Sequence, residues 1–174
     1  EYFKVKKINI VWFICIGGLL TTITVLFQSA PIFLPAIGLA LSPFSTLPIA
    51  ISAVFNVSLG FSVLFLSSLI IVAFNIQEAA ILLFTTGALG IAIGTLLYRK
   101  GIFISILISS IVLSLGMICL TYIIHVSGFI ELTSSFSISL TFLTFFIFSL
   151  VYSSIWNICF KKFMDYMIKI KPIN

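Results

Sequence analysis

The feature that most constrains this chain is the length of its uncharged apolar runs. From Ile8 to Asn75 there is no Asp, Glu, Lys, Arg or His, and similar stretches follow at Ala79–Tyr98, Ile102–Tyr122 and Phe136–Phe160. A helix needs about 20 apolar residues to cross the hydrocarbon core of a bilayer. In lipid, helices and closed barrels alone satisfy their backbone polar groups. Only 7% of the 174 residues are charged and 61% are hydrophobic, whereas a soluble domain carries roughly 25% charged residues. Water is therefore the wrong solvent for this surface. The expected fold is all-α: one polytopic membrane domain over residues 1–174, a bundle of six transmembrane helices.

The spans are expected at about 8–28, 43–56, 60–74, 77–98, 102–125 and 136–160, with a basic tail over 161–174. The first run follows Lys4, Lys6 and Lys7 but exceeds the ~7–15 residues of a secretory h-region, so it reads as a retained span. Ser42–Phe74 as one helix would reach about 50 Å at 1.5 Å per residue, against a core of about 30 Å. Asn56-Val57-Ser58-Leu59-Gly60 supplies a polar break and divides it. Ser42-Pro43 reads as an N-cap with proline at the first helical position, or the ordered start falls at Thr46. Arg99-Lys100-Gly101 closes the fourth span with cations and a C′-type glycine. Ser127–Ser135 reads as a loop.

Charge placement tests the count. With the N-terminus in the cytoplasm and six spans, all nine Lys and Arg fall inside, and the outer loops hold Glu78 and Glu131. Five spans would move Arg99 and everything after it outside. The positive-inside rule thus favours six spans in the cell membrane with both termini cytoplasmic. The net charge of +5 then reports topology and contact with lipid head groups, with no nucleic acid implied.

Chemistry is scarce. The chain has one His and four acidic residues, and no Gly-x-Ser-x-Gly, His-Glu-x-x-His or phosphate-cradling loop. The expectation is no enzyme, no catalytic residue, no metal and no cofactor. Cys15, Cys119 and Cys159 lie in apolar runs without Cys-x-x-Cys spacing, and read as small buried hydrophobes. Asn56 and Asn157 read as caps or as helix–helix hydrogen-bonding groups.

Two groups of small residues stand at helix-packing intervals. Gly17, Gly18, Thr21 and Thr22 form two small-xxx-small pairs in the first span, suited to internal packing or to docking of another membrane subunit. Gly87, Gly90 and Gly94 mark the fourth. Polar residues gather at the span ends expected outside: Gln28, then Asn75, Gln77 and Glu78, then His125 and Glu131. Hydrogen-bonding groups above an apolar bundle are the composition of a small-ligand pocket. The alternatives are local. Asn75 and Glu78 fit a capping box, His125 can meet a helix dipole, and Glu131 can simply be solvated. Pro31–Leu41 is apolar and irregular, so it is expected to fold back as a lid, with Phe33 as the residue that stacks on a ligand.

Six short spans, a Gly/Thr-rich first helix, Pro31 and Pro35 before a short second span, and Glu78–Gly94 together resemble the S components of energy-coupling factor (ECF) transporters. They are also similar to a related, uncharacterised S-component-like membrane family of Firmicutes. The resemblance covers about Ile8–Phe160. It implies a membrane-embedded subunit that captures a small, vitamin-like substrate from outside. It also implies partners: a membrane coupling subunit, docked on an Ala-x-x-x-Ala pattern, and ATPase subunits. The corresponding positions here, Gly17/Thr21 or Gly18/Thr22, keep the small size and not the identity. No vitamin-specific signature and no His-rich N-terminal segment of the metal-type members is present. The alternative is a non-catalytic structural or scaffolding membrane protein of the cell envelope.

Overall fold

The computed structural model describes residues 10–125 and 138–170. Among these residues the fold is all-α, built from six helices: α1 (Ile10–Phe33), α2 (Pro35–Phe55), α3 (Val57–Val72), α4 (Ile76–Lys100), α5 (Ile102–Tyr122) and α6 (Ile138–Ile170). Five are long and apolar enough to cross a membrane, and α3 is a shorter apolar helix of 16 residues. This is a multi-pass bundle.

Its surface is inverted relative to a soluble protein. Leu, Ile, Val and Phe side chains such as Leu26, Phe65, Phe103 and Ile147 face outward, while Ser52, Ser67, Ser105, Ser149 and Thr24 are buried. Lipid tails are as apolar as leucine, so apolar side chains gain nothing by turning inward. Small residues gain close packing. Many of the buried hydroxyls are satisfied within their own helices: Ser67 donates to the Val63 carbonyl at 2.6 Å and Thr24 to the Leu20 carbonyl at 2.8 Å. This i−4 back-bonding lets a hydroxyl sit inside without a cross-helix partner. Cys15 and Cys159 are exposed on the outer surface, contrary to the expected burial, and Cys119 is half-buried. Against lipid a thiol is as well placed outside as inside.

Of the five long helices α4 is the most buried, because its glycines admit backbone contact. A Cβ on Gly90 would stand 2.9 Å from the Thr46 carbonyl oxygen, and one on Gly94 would overlap that of Ala50. Both contacts advance by four residues, so α2 and α4 run in the same direction. The glycine face of α4 is thus consumed by internal packing. Two core clusters flank it. Leu20, Ile49, Leu59, Val63 and Leu82 join α1–α4. Leu89, Ile93, Leu113, Phe145 and Phe160 join α4 to α5 and α6.

The break at Asn56 is where the sequence places it. Asn56 has extended backbone (φ −157°, ψ 131°), and its side chain accepts from the Ser58 N–H as the N-cap of α3. Gly60 then packs against Ala53, with room for no Cβ. Gly101 takes φ +87°, which favours glycine, and closes α4 after Arg99 and Lys100 as expected.

Three boundaries differ from expectation. The irregular connector is helical: α1 runs through Pro31 to Phe33, the chain breaks at Leu34 (φ −134°, ψ 77°), and α2 starts at once with Pro35 in its first turn. Proline's fixed φ suits a helix start, which shifts the start of the second span from 43 to 35. Ser42 is therefore no N-cap. It has helical backbone and opens a 3₁₀ turn, Ser42–Ser45, inside α2, with α-helical geometry resuming at Thr46. Finally, the expected last span and the basic tail form one helix up to Ile170. The loop Ser127–Ser135 lies outside the described residues.

Candidate functional site

Near the α1 C-terminus, a glutamine is completely buried. Gln28 is 0% exposed, and a buried amide is costly unless its hydrogen bonds are made. Its Nε2 donates to Glu78 Oε2 at 2.9 Å. Its Oε1 accepts from Ser45 Oγ at 2.9 Å and from Thr86 Oγ1 at 3.3 Å. One side chain therefore ties α1 to the 3₁₀ turn of α2 and to two points along α4.

Each partner is placed by local structure. Asn75, with extended backbone, is the N-cap of α4, and its Oδ1 accepts from the N–H groups of Gln77 (2.8 Å) and Glu78 (3.3 Å). Half of the expected capping box is thus formed. The reciprocal half is not, because the Asn75 N–H already donates to the Ile71 carbonyl at 2.8 Å. This leaves the Glu78 carboxylate to reach Gln28, fifty residues away in sequence. Thr86 ends a wider π-type turn, Leu82–Thr86, within α4. Opposite that turn, a Cβ on Gly116 of α5 would overlap the Phe84 carbonyl oxygen, so the glycine makes room for the displaced backbone. Such π segments recur at functional sites. Ser45 and Thr86 were not legible as site residues, since serines and threonines recur throughout the chain. The nearest signals are the Thr85-Thr86-Gly87 triplet and the local prolines around Ser45.

The other expected ligand residues do not join this cluster. Phe33 is 67% exposed at the end of α1. Gln77 is exposed and engages Asn75 through its backbone. His125 is exposed at the end of α5, with φ +59° and Nδ1 3.2 Å from the Ile123 carbonyl oxygen. Glu131 lies outside the described residues. Of the expected lid, Pro31–Leu41, the first three residues belong to α1, and Pro35–Leu41 packs directly onto that helix: a Cβ on Gly38 would overlap the Ala30 carbonyl group. Backbone meets backbone at that point, with no cavity between.

The small residues of α1 divide. Gly17 is half-buried, with Leu59 of α3 3.2 Å from its Cβ position, and Thr21 is buried. Gly18 has nothing within 4 Å, and Thr22 is exposed, donating to the Gly18 carbonyl at 3.0 Å. One pair packs internally and the other faces out.

A second polar seam lies between α5 and α6. Ser105 Oγ donates to Asn157 Oδ1 at 2.5 Å, and Asn157 Nδ2 donates to the Ser153 carbonyl at 2.9 Å. Asn157 is thus a helix–helix hydrogen-bonding group. This contact also sets the far end of the molecule. Ser105 lies one turn beyond Gly101, so Lys161 and Lys162 fall near Arg99 and Lys100, at the opposite end of α4 from Glu78. Among the described residues no three His, Cys, Asp or Glu side chains gather as a metal site requires. No protein-family model, curated protein or solved structure matches the chain.

Proposed function

We propose that this protein is a non-catalytic, membrane-embedded binding subunit for a small solute, of the ECF S-component type, with its site at the Gln28–Glu78 end of the bundle. One observation carries the reading: a half-buried carboxylate held among neutral partners within an apolar helix. A purely structural tie needs no charge. The hydrogen bonds defined across the α5–α6 seam involve uncharged groups: Ser105 with Asn157, Ser149 with Met117, and Ser153 with the Ile106 carbonyl. Ionisable groups in membrane segments are expensive and mark function by default. With the basic residues clustered at the opposite end, the positive-inside rule turns the Glu78 end outward, where a solute arrives. In this reading both termini are cytoplasmic, all six helices cross, and energy comes from partner coupling and ATPase subunits docked on the outward Gly18–Thr22 pair.

Calorimetric or thermal-shift screening of vitamin-sized solutes against purified protein tests the proposal. A solute that binds wild type and binds Gln28→Leu at least tenfold more weakly supports it. Absence of any ligand, with no ATPase subunit co-purifying, overturns it.

A second reading is a scaffolding role in the envelope. The observation favouring it is that the Gln28 amide is already engaged on both ends by its own chain, as a structural lock would be. Glu78 separates the two readings, since both seat a partner on the Gly18–Thr22 pair. Scaffolding predicts that Gly18→Leu abolishes partner association in cells while Glu78→Gln leaves function intact.

A further inference from the structure

We infer that the solute taken at the Gln28–Glu78 site is a cation, an ammonium- or guanidinium-bearing molecule, in preference to a carboxylate or phosphate. The inference rests on the binding-subunit reading above and names the class of its substrate.

The case begins with what faces Glu78. Its one defined side-chain partner is a neutral amide N–H. An ionised carboxylate offers about four lone-pair sites, so most of its accepting capacity is unspent. The hydroxyl donors of the cluster are turned elsewhere: Ser45 and Thr86 both donate to Gln28 Oε1. Asn75 Oδ1 caps α4, which leaves its Nδ2 as a neutral donor. What the cluster presents to an incoming molecule is therefore one carboxylate beside neutral amides.

Next is the charge around it. Among the described residues no Lys, Arg or His pairs with Glu78. Arg99 and Lys100 lie at the other end of α4, 21 and 22 residues on, and Lys161 and Lys162 lie beside them. The short connection Ala73–Asn75 carries no cation. The first turn of α4 supplies a partial positive charge of about half a unit, which leaves a net negative site. At the edge of a low-dielectric slab such a charge acts at longer range than in water. It attracts a cation and repels a carboxylate or phosphate. An anion-binding site would need Lys, Arg or converging backbone N–H groups, and the N–H groups of Gln77 and Glu78 are already taken by Asn75.

The test uses the full chain in nanodiscs. Thermal shift and calorimetry compare putrescine, choline and agmatine with amides and carboxylates of similar size, on wild type and on Glu78→Gln. The expected result is binding of at least one cation, no binding of the matched carboxylates, and at least a tenfold loss of affinity in Glu78→Gln. Binding of a neutral or anionic compound, unchanged in Glu78→Gln, overturns the cation assignment and leaves the binding-subunit reading standing. Failure of all these compounds, together with failure of the wider solute screen, overturns both. Should Glu78→Gln not fold, the wild-type comparison of cation against carboxylate decides the point alone.

Discussion

Gln28 shows how one side chain can hold three segments. Removing its amide strands the Ser45 and Thr86 hydroxyls and the inner oxygen of Glu78 at once. Gln28→Leu is expected to destabilise the bundle by about 1–3 kcal/mol, the cost of leaving buried polar groups unsatisfied. Thermal unfolding in detergent measures it. A double-mutant cycle with Glu78→Gln should give a coupling of at least about 0.5 kcal/mol, since residues in one hydrogen-bond network are not additive. Strict additivity would mean that the contact contributes nothing. The sequence marks Gln28 and Glu78 as polar residues at span ends, and that much was legible. Their pairing was not. Nothing in a local pattern joins residues fifty apart, and the capping box at Asn75 offered Glu78 a nearer partner that the backbone had already satisfied.

At the scale of the helix, small residues decide which elements touch. Gly94→Ala is expected to cost about 1–3 kcal/mol through overpacking, because the new methyl would meet the Ala50 backbone and the Ala53 side chain. Gly18→Ala meets open space and should leave unfolding unchanged; equal losses in the two variants would contradict the assigned packing. Gly116→Ala should also destabilise, since its methyl would collide with the Phe84 carbonyl in the π-type turn. The glycine periodicity of α4 predicted internal packing, and the polar run after Phe55 predicted a break; both follow from local chemistry. The helical path through Pro31 to Phe33 and the start at Pro35 did not follow. Two prolines and a glycine look like a loop until tertiary packing of Gly38 on Ala30 holds the chain helical. The length of α6 was obscured likewise, because Lys161 and Lys162 end the apolar run without ending the helix.

For the molecule as a whole, the fold class was the most legible property, since lipid as solvent leaves few choices for a chain this apolar. The central claim, a binding site at the outer end of a bundle crossed six times, depends on α3. At 16 residues it spans about 24 Å, short of the hydrocarbon core, yet it packs beside α1 and α4, with Leu59 against Gly17 and Leu64 against Gly87. Because α2 and α4 run in the same direction, α3 returns the chain to the Gln28 end. With the N-terminus in the cytoplasm, Gln28 and Glu78 are outside; in the opposite orientation the site faces the cytoplasm. The most direct measurement replaces Cys15, Cys119 and Cys159 with serine, introduces single cysteines as Lys4→Cys, Gln77→Cys or Gly101→Cys, and labels intact cells with a membrane-impermeant maleimide. The account predicts labelling of Gln77→Cys from outside, and labelling of Lys4→Cys and Gly101→Cys only after permeabilisation. Labelling of Gly101→Cys in intact cells, with Gln77→Cys protected, would contradict it.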